Sequence, residues 1–262
     1  MSLAHSRAGR VAHRLALDSP ERVATLTVLD IAPTHAMFTN GRMRTAEGYF
    51  HWLLHMQKDL PEALTAGRTA EYLRYFFERW TVRRDRLDPH IDDYVRAFEQ
   101  PGAMRAAFDD YRATHEDVAV DEEDFRAQRK LTMPVLALWG AGGLAANTDI
   151  ATVWESYTEN VDGRAIPDCG HFIPEEAPET LVSELREFWS QSAEPRPGIG
   201  SCLEVLDHPG VAQCVRLDPG EVEELGDALV GGMEEFDVDL GRDGDALDRL
   251  EPEGPEEPGL GR

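Results

Sequence analysis

Residues 3–33 read LAHSRAGRVAHRLALDSPERVATLTVLDIAP, and three different periodicities follow one another within them. Ala4-His5-Ser6-Arg7-Ala8-Gly9 places a hydroxyl among small residues, the composition of a tight turn. From residue 10 to 17 the apolar positions Val11, Ala12, Leu15 and Ala16 recur at helical spacing. Asp18-Ser19-Pro20 stops that helix, because proline cannot continue it and disfavours helix in the residue before it. Residues 23–31 form a dense apolar run with β-branched members, bounded by Pro33, which predicts a buried strand. Turn, helix and parallel strand together make half of a doubly wound α/β unit.

The turn has the pattern of a nucleophile elbow, a sharp strand-to-helix bend that exposes a reactive side chain between small residues. Alanine stands where both flanking glycines are usual. The wider stretch resembles the haloacetate (fluoroacetate) dehalogenase group of the α/β-hydrolase superfamily, which reads G-H-D-R-G-x-R, then a helix A-H-R-x-A-L-D-x-P, then a strand ending L-D-I-x-P. The matching residues are His5, Arg7, Gly9, Arg10, Ala12-His13-Arg14, Ala16-Leu17-Asp18, Pro20, and Leu29-Asp30-Ile31 with Pro33. His51-Trp52, Asp110-Tyr111-Arg112 and Gly170-His171-Phe172 follow in the same order, so the resemblance covers roughly residues 3–189. Two departures stand out: Ser6 occupies the position of the nucleophilic aspartate, and the family's segments before the elbow are absent, which predicts an N-terminally truncated fold.

Composition narrows the class of protein. A chain of 262 residues holds one substantial domain with extras, and no apolar run approaches the length needed to span a membrane. Cys169, Cys202 and Cys214 are too few and too widely spaced for a disulfide framework or a paired-cysteine zinc site. They fit a reducing compartment, and with no room for a secretory signal before the elbow the expected location is cytoplasmic. A formal net charge of −24 argues against nucleic acid as a partner, since phosphate binding needs clustered cations. From Ala193 onward there are 19 acidic and 5 basic residues in a Pro/Gly-rich background, so this tail is expected to be mostly disordered, with strand or short-helix content only at 202–215 and 222–230. No residue pattern calls for a metal or another cofactor.

In chain order, the expected organisation is an elbow helix and strand at 1–35, a helical cap at 36–130, the closing part of the α/β core at 131–192 and the tail at 193–262. Helical spacing marks 46–57, 69–80, 88–99, 101–111, 150–159 and 178–189, and apolar runs mark strands at 135–140 and 164–167. The retained sheet would be the last three strands of a hydrolase fold. Its first strand would then be an unpaired apolar edge, which predicts self-association, in the simplest case a homodimer. The acidic run Asp121-Glu122-Glu123-Asp124 reads as a solvated segment before a helix.

The catalytic candidates are Ser6, Asp30 and His171. His171 follows a strand, where the superfamily keeps its general base, and a carboxylate such as Asp30 at its other ring nitrogen would fix the tautomer. The loop after Trp139 holds Ala141-Gly142-Gly143 and no acid, which leaves that role to Asp30; Asp149 looks like a helix-start residue. Arg7 and Arg10, three residues apart at the start of a helix, form a fork suited to a carboxylate near the positive end of the helix dipole, and the resemblance assigns them that ligand. It also assigns His51, Trp52 and Tyr111 to the leaving halide, whose developing charge N–H and O–H donors would stabilise. The remaining histidines, including His13, His35 and His55, read as structural.

Ser6 governs what chemistry is open. An aspartate attacking the halogenated carbon leaves an ester that activated water can cleave, whereas a serine would leave an ether with no carbonyl to attack. Repeated dehalogenation is therefore not expected. Ser6, Asp30 and His171 do have the residue types and chain order of a hydrolase triad. The sequence leaves three readings open: an esterase-type hydrolase of a small ester or carboxylate substrate, a non-catalytic carboxylate- or partner-binding protein, and an incomplete product with no function of its own.

Overall fold

The computed structural model describes residues 2–39, 43–143, 145–146, 148–192 and the short pieces 202–203 and 215–216. Most of the expected tail, including 222–230, lies outside the described residues. The two short pieces pair as antiparallel strands, Cys202 opposite Arg216 and Leu203 opposite Val215.

Helix α1 (Ser2–Asp18) leads into strand β1 (Leu26–Leu29). A run of helices follows: α2 (Thr34–Thr39), α3 (Met43–Gly48), α4 (Phe50–His55), α5 (Leu60–Thr65), α6 (Thr69–Trp80), α7 (Arg84–Leu87), α8 (Ile91–Phe98), α9 (Ala103–Arg112) and α10 (Thr114–Arg126). The chain then returns to alternation with β2 (Val135–Gly140), α11 (Ile150–Trp154), β3 (Val161–Ile166), α12 (Ile173–Glu176) and α13 (Pro178–Ser192). The three main strands form a parallel sheet in the order β1-β2-β3, with Leu26 opposite Val135 and Val135 opposite Val161.

The central strand β2 is buried at every position, as a parallel strand covered on both faces must be. Alternation sends Val135, Ala137 and Trp139 to one face, where they pack with Ala16, Leu17, Leu26, Val28 and Trp154 from α1, β1 and α11. Leu136 and Leu138 point the other way, into a layer with Ile173, Leu181 and Phe188 from α12 and α13. The helices between the strands have a separate core of Leu73, Phe76, Phe77, Trp80, Leu87 and Ile91. Phe172, beside His171, is part of that core and so fastens the loop after β3 to the helical layer.

The structure departs from the sequence reading at three places. Residues 4–9 form no turn; they are the first part of one continuous helix from Ser2. Ala4, Ala8 and Ala12 are strong helix formers, and no proline interrupts residues 4–9. The helix expected at 46–57 is two, α3 ending at Gly48 and α4 starting at Phe50, with Tyr49 between them. The acidic run 121–124 lies inside α10 and is largely engaged: Asp124 is buried, and Arg14 from α1 reaches it at 2.6 Å. Glu122 pairs with the buried His35, whose other ring nitrogen meets Tyr157 Oη at 2.7 Å.

Candidate active site

Parallel strands present their carboxyl ends on one edge of the sheet, and open α/β sheets bind ligands in the crevice there. Asp30 sits one residue past β1, the Gly140–Gly143 turn follows β2, and His171 lies in the loop after β3. Asp30 has φ +51, a left-handed conformation that aspartate tolerates better than most residues. Its backbone N–H still donates to Leu138 O at 2.7 Å. Its Oδ1 accepts the Gly140 N–H at 3.2 Å, and its Oδ2 lies 2.6 Å from His171 Nδ1. Both side chains are almost fully buried. The carboxylate can only accept, so the proton between them belongs to Nδ1 in the neutral ring, which leaves Nε2 as the basic lone pair.

A small cavity of about 30 Å³ adjoins this pair, lined by Arg10, Asp30, Tyr49, His51, Trp80, Tyr111 and His171 among others. A single water takes up roughly 10–15 Å³ on the same scale, so the space suits a molecule of a few heavy atoms. Burial first, then the charges of His55, His171 and Arg10, push His51 down to about 3. At neutral pH it is an uncharged imidazole, enclosed by Trp80 (ring centroids 4.9 Å apart), Phe76 (5.5 Å) and Tyr111 (6.1 Å). Its Nδ1 is buried with no hydrogen-bond partner among the described residues.

Arg10 supplies the cation. Its guanidinium stacks 4.3 Å from the Trp52 ring centroid and 5.6 Å from that of Tyr111, and reaches Asp110 at 3.4 Å. It stands in the middle of α1, where backbone N–H groups are bonded within the helix. The helix-dipole contribution expected for a residue at a helix start therefore does not apply. The side chains of Ser6 and Arg7 lie outside the described part of α1; both residues sit on that helix, Ser6 four residues before Arg10.

Trp52 is tied into the helical layer. Its indole N–H donates to Thr114 Oγ1 at 2.8 Å, and that hydroxyl donates onward to the Tyr111 carbonyl at 2.5 Å. With the N–H committed, Trp52 offers the site its ring face, on which Arg10 rests. Three neighbours escaped the sequence reading. Tyr49 lines the cavity at the break between α3 and α4, and burial followed by the nearby Asp30 charge raises its phenol. Trp80 packs edge-on against His171 at 5.4 Å. The buried Glu176, at the end of α12, accepts four backbone N–H groups. The only sequence signal for Glu176 is an acidic residue shortly after an apolar stretch.

His171 and Asp30 thus meet at the carboxyl edge of the parallel sheet, beside a small cavity that Arg10, His51 and Trp80 also line. The model of the alpha/beta hydrolase fold family matches residues 2–178, and the chain belongs to that family. It is 31% identical over 193 residues to a fluoroacetate dehalogenase from Burkholderia sp, covering 72% of this chain and 62% of that protein. It is 29% identical over 204 residues to a soluble epoxide hydrolase from Corynebacterium sp. (strain C12), covering 72% and 66%. Among solved structures, ALR0039 from Nostoc sp PCC 7120, assigned to the alpha/beta hydrolases, superposes with a TM-score of 0.65 at 40% identity, covering 70% of this chain and 63% of that one. The chain thus spans less than two thirds of the length of each of these relatives. No helix among the described residues is long and apolar enough to cross a membrane.

Proposed function

We propose that this chain carries a hydrolase site for a small carboxylate-bearing substrate, with His171 as general base, Asp30 as its orienting acid and Arg10 as the carboxylate anchor. The observation that carries this reading is the 2.6 Å contact between the buried His171 and Asp30 beside a cavity that also holds Arg10. In it, the helices between β1 and β2 act as the cap that excludes water, and the uncharged His51 receives developing negative charge as a neutral donor. Tyr111 lines the same wall.

Serine at position 6 limits the reaction to acyl transfer. Attack of Oγ on an ester carbonyl passes the hydroxyl proton to His171 Nε2, which returns it to the departing alcohol; a water activated by His171 then cleaves the acyl-serine to the free acid and serine. Attack on a halogenated carbon expels halide and leaves a serine ether, which stops after one event. The continuous helix α1 favours a second reading, binding without turnover. Its regular hydrogen bonding ties up the Arg7 N–H, the donor that an elbow would aim at an oxyanion.

A serine-directed fluorophosphonate separates the two. Labelling at Ser6 that disappears in His171→Ala supports acyl transfer, and no labelling leaves binding alone. Repeated fluoride or chloride release from haloacetates by the purified chain would overturn the restriction to acyl chemistry. Carboxylate affinity is a separate measurement. Arg10→Ala should weaken acetate or glycolate binding by about 10- to 100-fold, the worth of one charge-assisted hydrogen-bonded pair, with His171→Ala changing it little. Equal affinities for wild type and Arg10→Ala in calorimetry would remove Arg10 from the site.

A further inference from the structure

Glu176 is a buried carboxylate, 1% exposed, with no ion pair to a cation among the described residues. Burying such a group is costly unless its lone pairs are filled. Backbone N–H groups fill them: Val82 at 2.8 Å, Arg83 at 2.8 Å and Gly170 at 2.9 Å donate to Oε2, and Phe172 at 3.0 Å donates to Oε1. These donors come from two places. Val82 and Arg83 belong to the loop between α6 and α7, and Gly170 and Phe172 flank His171 on either side. The His171 N–H itself donates to Trp80 O at 2.9 Å. The packing leaves no slack, since a Cβ on Gly170 would lie 2.2 Å from Trp80 O and 2.7 Å from Glu176 Oε1.

We infer that Glu176 is a positioning residue. Its carboxylate straps the helical layer to the His171 loop, so the placement of the imidazole against Asp30 depends on the helices between β1 and β2. Two segments about 90 residues apart in sequence meet on one carboxylate, and each hydrogen bond is charge-assisted. A packing contact would tolerate small shifts, whereas four N–H groups converging on two oxygens fix both loops at once. The inference rests on the reading of His171 and Asp30 as the working pair.

Glu176→Gln tests it without requiring turnover. The amide has one acceptor oxygen where the carboxylate has two, so at least one backbone N–H then faces another N–H. The readout is the low-field Nδ1–H proton resonance of His171, the signature of its short bond to Asp30, together with hydrogen exchange at the His171 amide. Glu176→Gln is expected to lose or broaden that resonance and to speed exchange by about tenfold or more, as expected when a charge-assisted tie is lost. Leu73→Ala, in the core of the helical layer, serves as a control that lowers thermal stability without touching the strap, and should retain the resonance. If Glu176→Gln does not fold, Val82→Pro removes a single donor and should shift both readouts in the same direction by less. An unchanged resonance and unchanged exchange in a folded Glu176→Gln would overturn the inference. Asp30→Asn distinguishes the underlying reading: if it leaves the resonance in place, the His171–Asp30 assignment itself fails.

Discussion

Gly140→Ala should yield no cooperatively folded protein, or one weakened by more than about 4 kcal/mol, the range reserved for a direct backbone clash. Gly140 ends β2 and passes directly under the loop after β3. A Cβ there would lie 1.9 Å from Gly170 O, 2.6 Å from Cys169 O and 2.6 Å from the Gly170 carbonyl carbon. All three are backbone atoms, so no rotamer change relieves the overlap, and the loop must move by on the order of 1 Å. That movement breaks the Gly170 bond to Glu176, the His171 bond to Trp80 and the approach of Asp30 Oδ1 to the Gly140 N–H. Two other glycines calibrate the effect. Gly163→Ala meets Ala137 O at 2.8 Å and Ala151 Cβ at 2.9 Å, contacts that a smaller adjustment of β3 can absorb. Gly48→Ala meets nothing within 4 Å and should be neutral or stabilising by up to about 1 kcal/mol. Urea unfolding followed by circular dichroism ranks the three, and a Gly140→Ala midpoint close to that of wild type would refute the clash.

The parts of this molecule that were legible in the sequence are those whose physics is local. The apolar run at 135–140 could be read as a doubly covered strand because no polar residue interrupts it, and the structure buries every position. Asp149 could be read as a helix start because a cap acts within its own turn; its Oδ1 accepts the Thr152 N–H at 3.2 Å. Asp30 and His171 were found through motifs at strand ends, where a parallel sheet collects its chemistry. What escaped depends on partners that leave no local trace. Glu176 is held by backbone N–H groups, which every residue but proline possesses, so nothing in the side chains of Val82 or Arg83 announces them. The hydrogen bond of the Trp52 N–H went unread because the hydroxyl that takes it lies 62 residues away. The elbow was overestimated for a related reason. A bend is imposed by what packs around it, and small residues such as Ala4 and Ala8 are equally good helix formers.

Acid should destabilise the chain well above the pH at which ordinary carboxylates titrate. His13 lies on the inner face of α1, 5% exposed, edge-on to Trp154 with ring centroids 5.1 Å apart, and its Nε2 has no hydrogen-bond partner among the described residues. Burial, with a further push from the adjacent Arg14, lowers it to about 4, and Asp124 opposes this only in part. His51 is lowered to about 3, again chiefly by burial. In the unfolded chain both titrate near the ordinary histidine value of about 6.5. Between that value and the folded ones, the unfolded chain binds protons that the native state refuses. Stability is therefore complete above about pH 6.5 and falls as the pH drops toward 4 for His13 and toward 3 for His51. Each unit of difference is worth about 1.4 kcal/mol, so at pH 4.5 the two rings together cost on the order of 5 kcal/mol, comparable to the whole stability of many domains. Asp117, Asp121 and Glu175, all raised by burial, act in the opposite sense, because the native state holds their protons more tightly. Urea titrations at pH 7.5 and pH 4.5 should show the fall, and His13→Phe, which fills the same space without a titrating nitrogen, should remove a substantial share of it while leaving the pH 7.5 stability equal or higher. A His13→Phe variant whose stability falls with acid as steeply as the wild type would show that the buried ring on α1 is not the source.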